Sequence, residues 1–135
     1  MRFRGTFSND DGQRKNRKDG QSREQTAFER KIDTFRRASR RRDWEFDFWY
    51  SARDLRRRAD YAQANGNEKR ASVIYMRAAA MFAIQSGIYE EEGKMQVAGN
   101  ASALAGTCLV AAGSTFSSEA EIQFQKAKAL WSKSK

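Results

Sequence analysis

The sequence has no proline, no histidine and a single cysteine, Cys108, among its 135 residues. Each absence excludes a class of protein. A chain without proline meets no covalent helix breaker, which favours long helices over a turn-rich sandwich. One cysteine cannot form an internal disulfide, so the chain is no disulfide-stapled domain and fits a reducing compartment. With no imidazole and one thiol, the common zinc ligand sets cannot be assembled. No apolar run approaches the ~20 residues of a membrane span. The nearest, ASALAGTCLVAAG at 101–113, is short and rich in small side chains. The N-terminus lacks the apolar stretch of a secretory signal. Its MRFRGTFS is arginine-rich like a mitochondrial presequence, but Asp10, Asp11 and Asp19 come directly after it. These features favour an intracellular reducing compartment or a virion, with the mitochondrion as the alternative.

What the sequence does have is positive charge, unevenly placed. Its 26 Lys+Arg against 17 Asp+Glu give a net charge of +9. Residues 1–42 hold 14 basic against 6 acidic side chains (+8), residues 43–70 hold 6 of each (0), and residues 71–135 hold 6 against 5 (+1). A basic arm on a near-neutral domain points to a polyanionic partner. Residues 1–21, polar and glycine-containing, read as a flexible tail that cannot bury enough surface to offset its chain entropy. Residues 22–135 read as one helical domain.

Spacing of apolar residues sets the helices. SREQ at 22–25 has the capping-box pattern, and Phe28, Ile32 and Phe35 then fall on one face, giving a helix over 22–42. Phe48, Ala52, Leu55, Ala59 and Ala62 continue at steps of 4, 3, 4 and 3, giving a second helix to Ala64, stopped at Asn65-Gly66. Asn67 is positioned to cap a third, with the stripe Ala71, Ile74, Tyr75, Ala78, Met81 and Phe82 ending at Gly87. Gly93, Gly99-Asn100 and Gly106 each weaken the next segment, which is read as helices near 88–98 and 101–112, with Gly113 as the stop. Glu90 to Glu92 are read as first-turn charge. SEAE at 118–121 is a second capping box, opening a last helix marked by Ala120, Phe124, Ala127 and Trp131. The expected fold is all-α, a small bundle of antiparallel helices with a basic, flexible N-terminal arm.

The basic residues can be placed on this scheme. Arg30, Arg37 and Arg41 stack opposite the Phe28 stripe, with Arg36, Arg40 and Lys31 on its flanks and Arg42 at the end. The tail adds Arg14, Lys15, Arg17 and Lys18. Guanidinium groups on a ridge suit phosphate oxygens, and such binding weakens with salt as counterions are released. Trp44, Phe46, Trp49 and Tyr50 are read mainly as core, with Trp44 the candidate for stacking on an unpaired base. Arg53, Arg56, Arg57 and Arg58, offset by Asp54 and Asp60, are read as a mixed solvated face. No phosphate loop, metal box or dinucleotide fingerprint occurs, and Cys108 among Ala105, Leu109 and Ala112 reads as an inert buried thiol. No enzyme and no cofactor are expected.

Leu55, Ala59, Gly66, Ala71, Tyr75 and Ala78, in LRRRADYAQANGNEKRASVIYMRAAAMF, resemble a tetratricopeptide-type or microtubule-interacting-and-trafficking-type helical hairpin. A shift of 34 residues, the tetratricopeptide period, lands on Tyr89, Gly93, Asn100, Ala105, Leu109 and Ala112. The resemblance covers residues 52–113 and departs from the repeat at Arg58, Ala62 and Ala83. It implies repeat-like hairpins and an adaptor that binds a peptide or helix of another protein in a groove lined by Tyr75 and Tyr89. The residues themselves favour a different function: a non-enzymatic, nucleic-acid-associated structural protein, a ribonucleoprotein or virion component. It would grip the phosphate backbone of RNA in preference to DNA through residues 1–42 and pack its small-residue helices on neighbouring proteins or on copies of itself.

Overall fold

A computed structural model describes residues 25–41 and 48–135, with the side chains of residues 39–41 outside the description. The described residues form five α-helices and no strand: α1 (Ala27–Arg41), α2 (Phe48–Ala64), α3 (Glu68–Glu91), α4 (Met95–Ala112) and α5 (Ser117–Lys133), with a single 3-10 turn at Ser114–Phe116. Short turns join α2 to α5, so each of these helices runs antiparallel to the one before it and packs against it, while α1 lies against α3. The core follows the expected stripes. Phe28, Ala52, Ala59, Ala71, Tyr75, Ala78 and Phe82 are buried, and Ile32, Phe35 and Leu55 pack against them half-exposed.

The helix ends differ from the sequence expectations. α1 is opened by Thr26: its Oγ1 accepts the Glu29 backbone N–H (3.1 Å), and Glu29 Oε1 accepts the Thr26 N–H (2.9 Å). This reciprocal pair is the capping box, one turn later than Ser22 and Gln25; Ser22 lies outside the described residues. α2 has a buried amide at its start, where Gln85 Oε1 of α3 accepts the Phe48 N–H at 3.0 Å. Asn67 does precede α3, but without a side-chain cap, and neither Ser118 nor Glu121 caps α5, which starts a residue earlier.

Two glycines expected to stop helices do not. α3 runs through Gly87 to Glu91, and its turn is made by Gly93 with φ +80°, matching Gly66 (φ +80°) in the turn before. Left-handed backbone favours glycine at both positions. Glu90 and Glu91 therefore close α3 rather than open the next helix, and Lys94 pairs with Glu92 at 3.2 Å. Of the helix expected over 88–98, the first residues belong to α3, and the last join 101–112 in one helix, α4, with Gly99, Asn100 and Gly106 inside it. The reason lies in α5. A Cβ on Gly99 would sit 2.5 Å from Trp131 Nε1, and one on Gly106 would sit 2.7 Å from the Phe124 ring. These glycines are sockets for aromatic rings, and Asn100 Oδ1 accepts the Trp131 indole N–H at 3.1 Å. The small residues of α4 thus meet large partners within the chain.

The 34-residue register does not survive folding. It maps the turn residue Gly66 onto Asn100 inside α4, and Ala59 inside α2 onto the turn residue Gly93. Close approach of α3 and α4 depends instead on small polar residues. Ser86 Oγ donates to Ala98 O at 2.8 Å, and its oxygen lies 2.7 Å from Ser102 Oγ, so Ser102 supplies the proton of that second bond. Ser72 Oγ donates to Ala112 O, satisfying a terminal carbonyl of α4. α3 and α4 are long and apolar enough to cross a membrane by length and composition alone, but half or more of each such stretch is buried inside the fold, as in the core helices of a bundle.

Cys108 is buried, and desolvation pushes its thiol up to about 12, against a smaller opposing pull from Arg56. Tyr75 is also raised to about 12 by burial, and its hydroxyl donates to Asp60, which reinforces the shift. Both groups stay neutral in the fold and ionise first in the unfolded chain, from ordinary values of 9.0 and 10.0. Stability should therefore be level below about pH 8.5 and fall as pH rises toward 12. Urea unfolding across that range checks the direction. In native buffer at pH 8 a disulfide reagent should leave Cys108 unmodified and react fully in denaturant; rapid native labelling would contradict the burial.

Candidate polyanion surface and groove

The sequence-derived basic residues fall into two sets. Arg14, Lys15, Arg17, Lys18, Arg42 and Trp44 lie outside the described residues, as do the side chains of Arg40 and Arg41. On α1, Arg30, Arg36 and Arg37 are exposed, while Phe28 is buried on the other side. The helix is amphipathic as its spacing required. Arg30 is tied down in part, since its Nη1 donates to Gln25 O at 2.7 Å. Lys31 lies over the Phe35 ring, 5.7 Å from its centre, and so belongs to the flank of the apolar stripe.

The aromatics after α1 mostly pack, as far as they are described. Phe48 is buried, and Trp49 is half-buried with its ring edge-on to Phe82 (5.5 Å) and to Tyr89 (6.4 Å). Tyr50 is exposed. Tyr75 and Tyr89 are the residues expected to line a partner groove. Tyr75 is buried with its hydroxyl bonded to Asp60, and Tyr89 leans on Trp49. Tyr89 keeps part of its surface exposed.

A groove does exist elsewhere on the same hairpin. It holds about 790 Å³ between the second half of α2 and the first half of α3. Leu55, Tyr61, Val73 and Ile74 supply its apolar surface; Arg57, Arg58, Arg70 and Arg77 supply its polar rim. Asp54 is the one acid in the lining among the described residues, and it is paired with Arg58 at 3.0 Å. A smaller hollow of about 190 Å³ on the adjoining side of α2 adds Arg53 and Arg56, with Asp60. Segment-by-segment charge counting missed this surface, because residues 43–70 sum to zero. Folding places four guanidinium groups around one hollow while Glu68 stays off it. Pairing residues across the turn was the available signal: positions symmetric about the Asn65–Gly66 bond, such as Tyr61 with Arg70 and Asp54 with Arg77, line the same groove.

No protein-family model, curated protein or solved structure matches the chain.

Proposed function

We propose that the protein is a non-enzymatic, nucleic-acid-associated structural component, of a ribonucleoprotein particle or a virion, that grips the phosphate backbone through basic residues of positions 1–42. The observation that carries this reading is charge placement. Of the net +9, +8 falls in those positions, and Arg30, Arg36 and Arg37 of that set stand exposed on α1. A ridge of arginines on the polar side of an otherwise packed helix can contact several phosphates without disturbing the core. Nothing in the pattern reads bases, so binding should be insensitive to sequence, with RNA the first polyanion to test.

The triple variant Arg36→Gln, Arg37→Gln, Arg41→Gln keeps good helix formers in α1. It should weaken single-stranded RNA binding at least about tenfold and lower the salt slope by about 2, at ~0.7 for each phosphate no longer neutralised. Unchanged affinity and slope would reject this role for α1.

A further inference from the structure

We infer that the groove between α2 and α3 is a docking site for an acidic, amphipathic helix of a partner protein, separate from the polyanion surface of α1. Its composition differs from what a phosphate chain needs. A backbone grip uses exposed cations alone, whereas this hollow sets Leu55, Tyr61, Val73 and Ile74 between arginines. Tyr61 is 73% exposed and Val73 46%, although Ile74 beside them is buried. Such a mixture matches a helix that offers an apolar stripe at i, i+3, i+4 and i+7 with carboxylates along its edges.

Charge selects the occupant. Arg57, Arg70 and Arg77 face the hollow, while the fourth arginine, Arg58, is already engaged by Asp54. A partner with flanking Glu or Asp would meet three guanidinium groups, with Asp54 the one lining carboxylate to oppose it. The chain's own residues 1–24 are a poor occupant: they carry 7 Lys+Arg against 4 Asp+Glu and share the groove's sign. Two antiparallel helices leave a channel suited to a third laid along them, which favours a helical over an extended guest.

The test uses the full chain and two synthetic 16-residue peptides of one composition, rich in leucine and glutamate. One carries the leucines as a helical stripe; in the other the order is permuted so that no stripe forms. Fluorescence anisotropy should show the striped peptide binding at least about tenfold more tightly than the permuted one. Tyr61→Ala with Val73→Ser, and separately Arg70→Gln with Arg77→Gln, should each weaken the striped peptide about tenfold. Lys128→Gln with Lys133→Gln, an equal loss of charge on α5, should leave it unchanged. Tyr61 and Val73 are exposed, so their replacement leaves the fold intact, which a melting curve verifies. Equal binding of both peptides would overturn the proposal and leave a general anion surface. So would no binding of either peptide, or loss of a 16-nucleotide oligouridylate instead of the peptide on Tyr61→Ala with Val73→Ser, which would give the groove to nucleic acid. Self-association abolished by the same pair would assign it to a second copy of the chain and equally overturn the proposal.

Discussion

Phe82→Ala should lower the unfolding free energy by about 3–5 kcal/mol, the usual cost of removing a buried phenyl ring. Phe82 is fully buried in α3, the longest of the described helices, which packs against α1, α2 and α4. Its ring also meets that of Trp49 in a T-shaped arrangement with centres 5.5 Å apart, contributing about 0.5–1.5 kcal/mol of the total. A domain of this size commonly has only about 5–15 kcal/mol in hand. The loss should therefore appear as a large fall in urea midpoint with an unchanged m-value. Tyr50→Ala, next to Trp49 in the chain but at a side chain 69% exposed, should change the midpoint little. A fall below about 1 kcal/mol for Phe82→Ala would mean that α3 is not the centre of the core.

The second large effect runs against helix propensity. Alanine in place of glycine inside an exposed helix gains about 0.5–1 kcal/mol, yet Gly99→Ala and Gly106→Ala should each destabilise. The new methyl would meet the indole of Trp131 at 2.5 Å in one case and the Phe124 ring at 2.7 Å in the other. Overpacking of this kind costs about 1–3 kcal/mol. Displacing Trp131 also breaks its bond to Asn100, worth about 0.5–1.5 kcal/mol. The net change at Gly99 should be a loss of about 1–3 kcal/mol. In a Trp131→Ala background the clash is gone, and Gly99→Ala should become neutral or stabilising. That reversal in a double-mutant cycle separates a socket from a simple flexible point; a stabilising Gly99→Ala in the natural background would contradict the packing.

The same glycines mark the limit of what was legible in the sequence. Periodicity located α1, α2, α3 and α5, because their apolar stripes repeat at three and four residues and a packed bundle must bury them. Gly99 and Gly106 have two physical meanings, a weak helix or a close contact, and only the opposing Trp131 and Phe124 decide between them. These partners lie 32 and 18 residues away, beyond any local pattern. Helix caps were legible in kind but not in place: Thr26 and Glu29 have the same spacing as Ser22 and Gln25. Gln85, which bonds the first N–H of α2 from another helix, carried no local signal at all.

The candidate surfaces divide in the same way. The exposed arginines of α1 follow from placing cations opposite an apolar stripe. The α2–α3 groove does not, because its arginines come from two helices and are diluted along the chain by Asp54, Asp60 and Glu68. Tyr75 and Tyr89 resemble groove residues because aromatic side chains on a hairpin suit that role. In the fold both are held by contacts inside it.

Titrating the full chain with single-stranded RNA across a range of salt concentrations, beside the Arg36→Gln, Arg37→Gln, Arg41→Gln variant, decides whether a basic surface of this helical protein holds a phosphate backbone, as proposed above. The predicted result is a linear fall of log affinity with log salt, as expected when several phosphates release counterions, and a slope smaller by about 2 in the variant. No measurable binding near physiological salt, or binding with a slope the variant does not change, would contradict it.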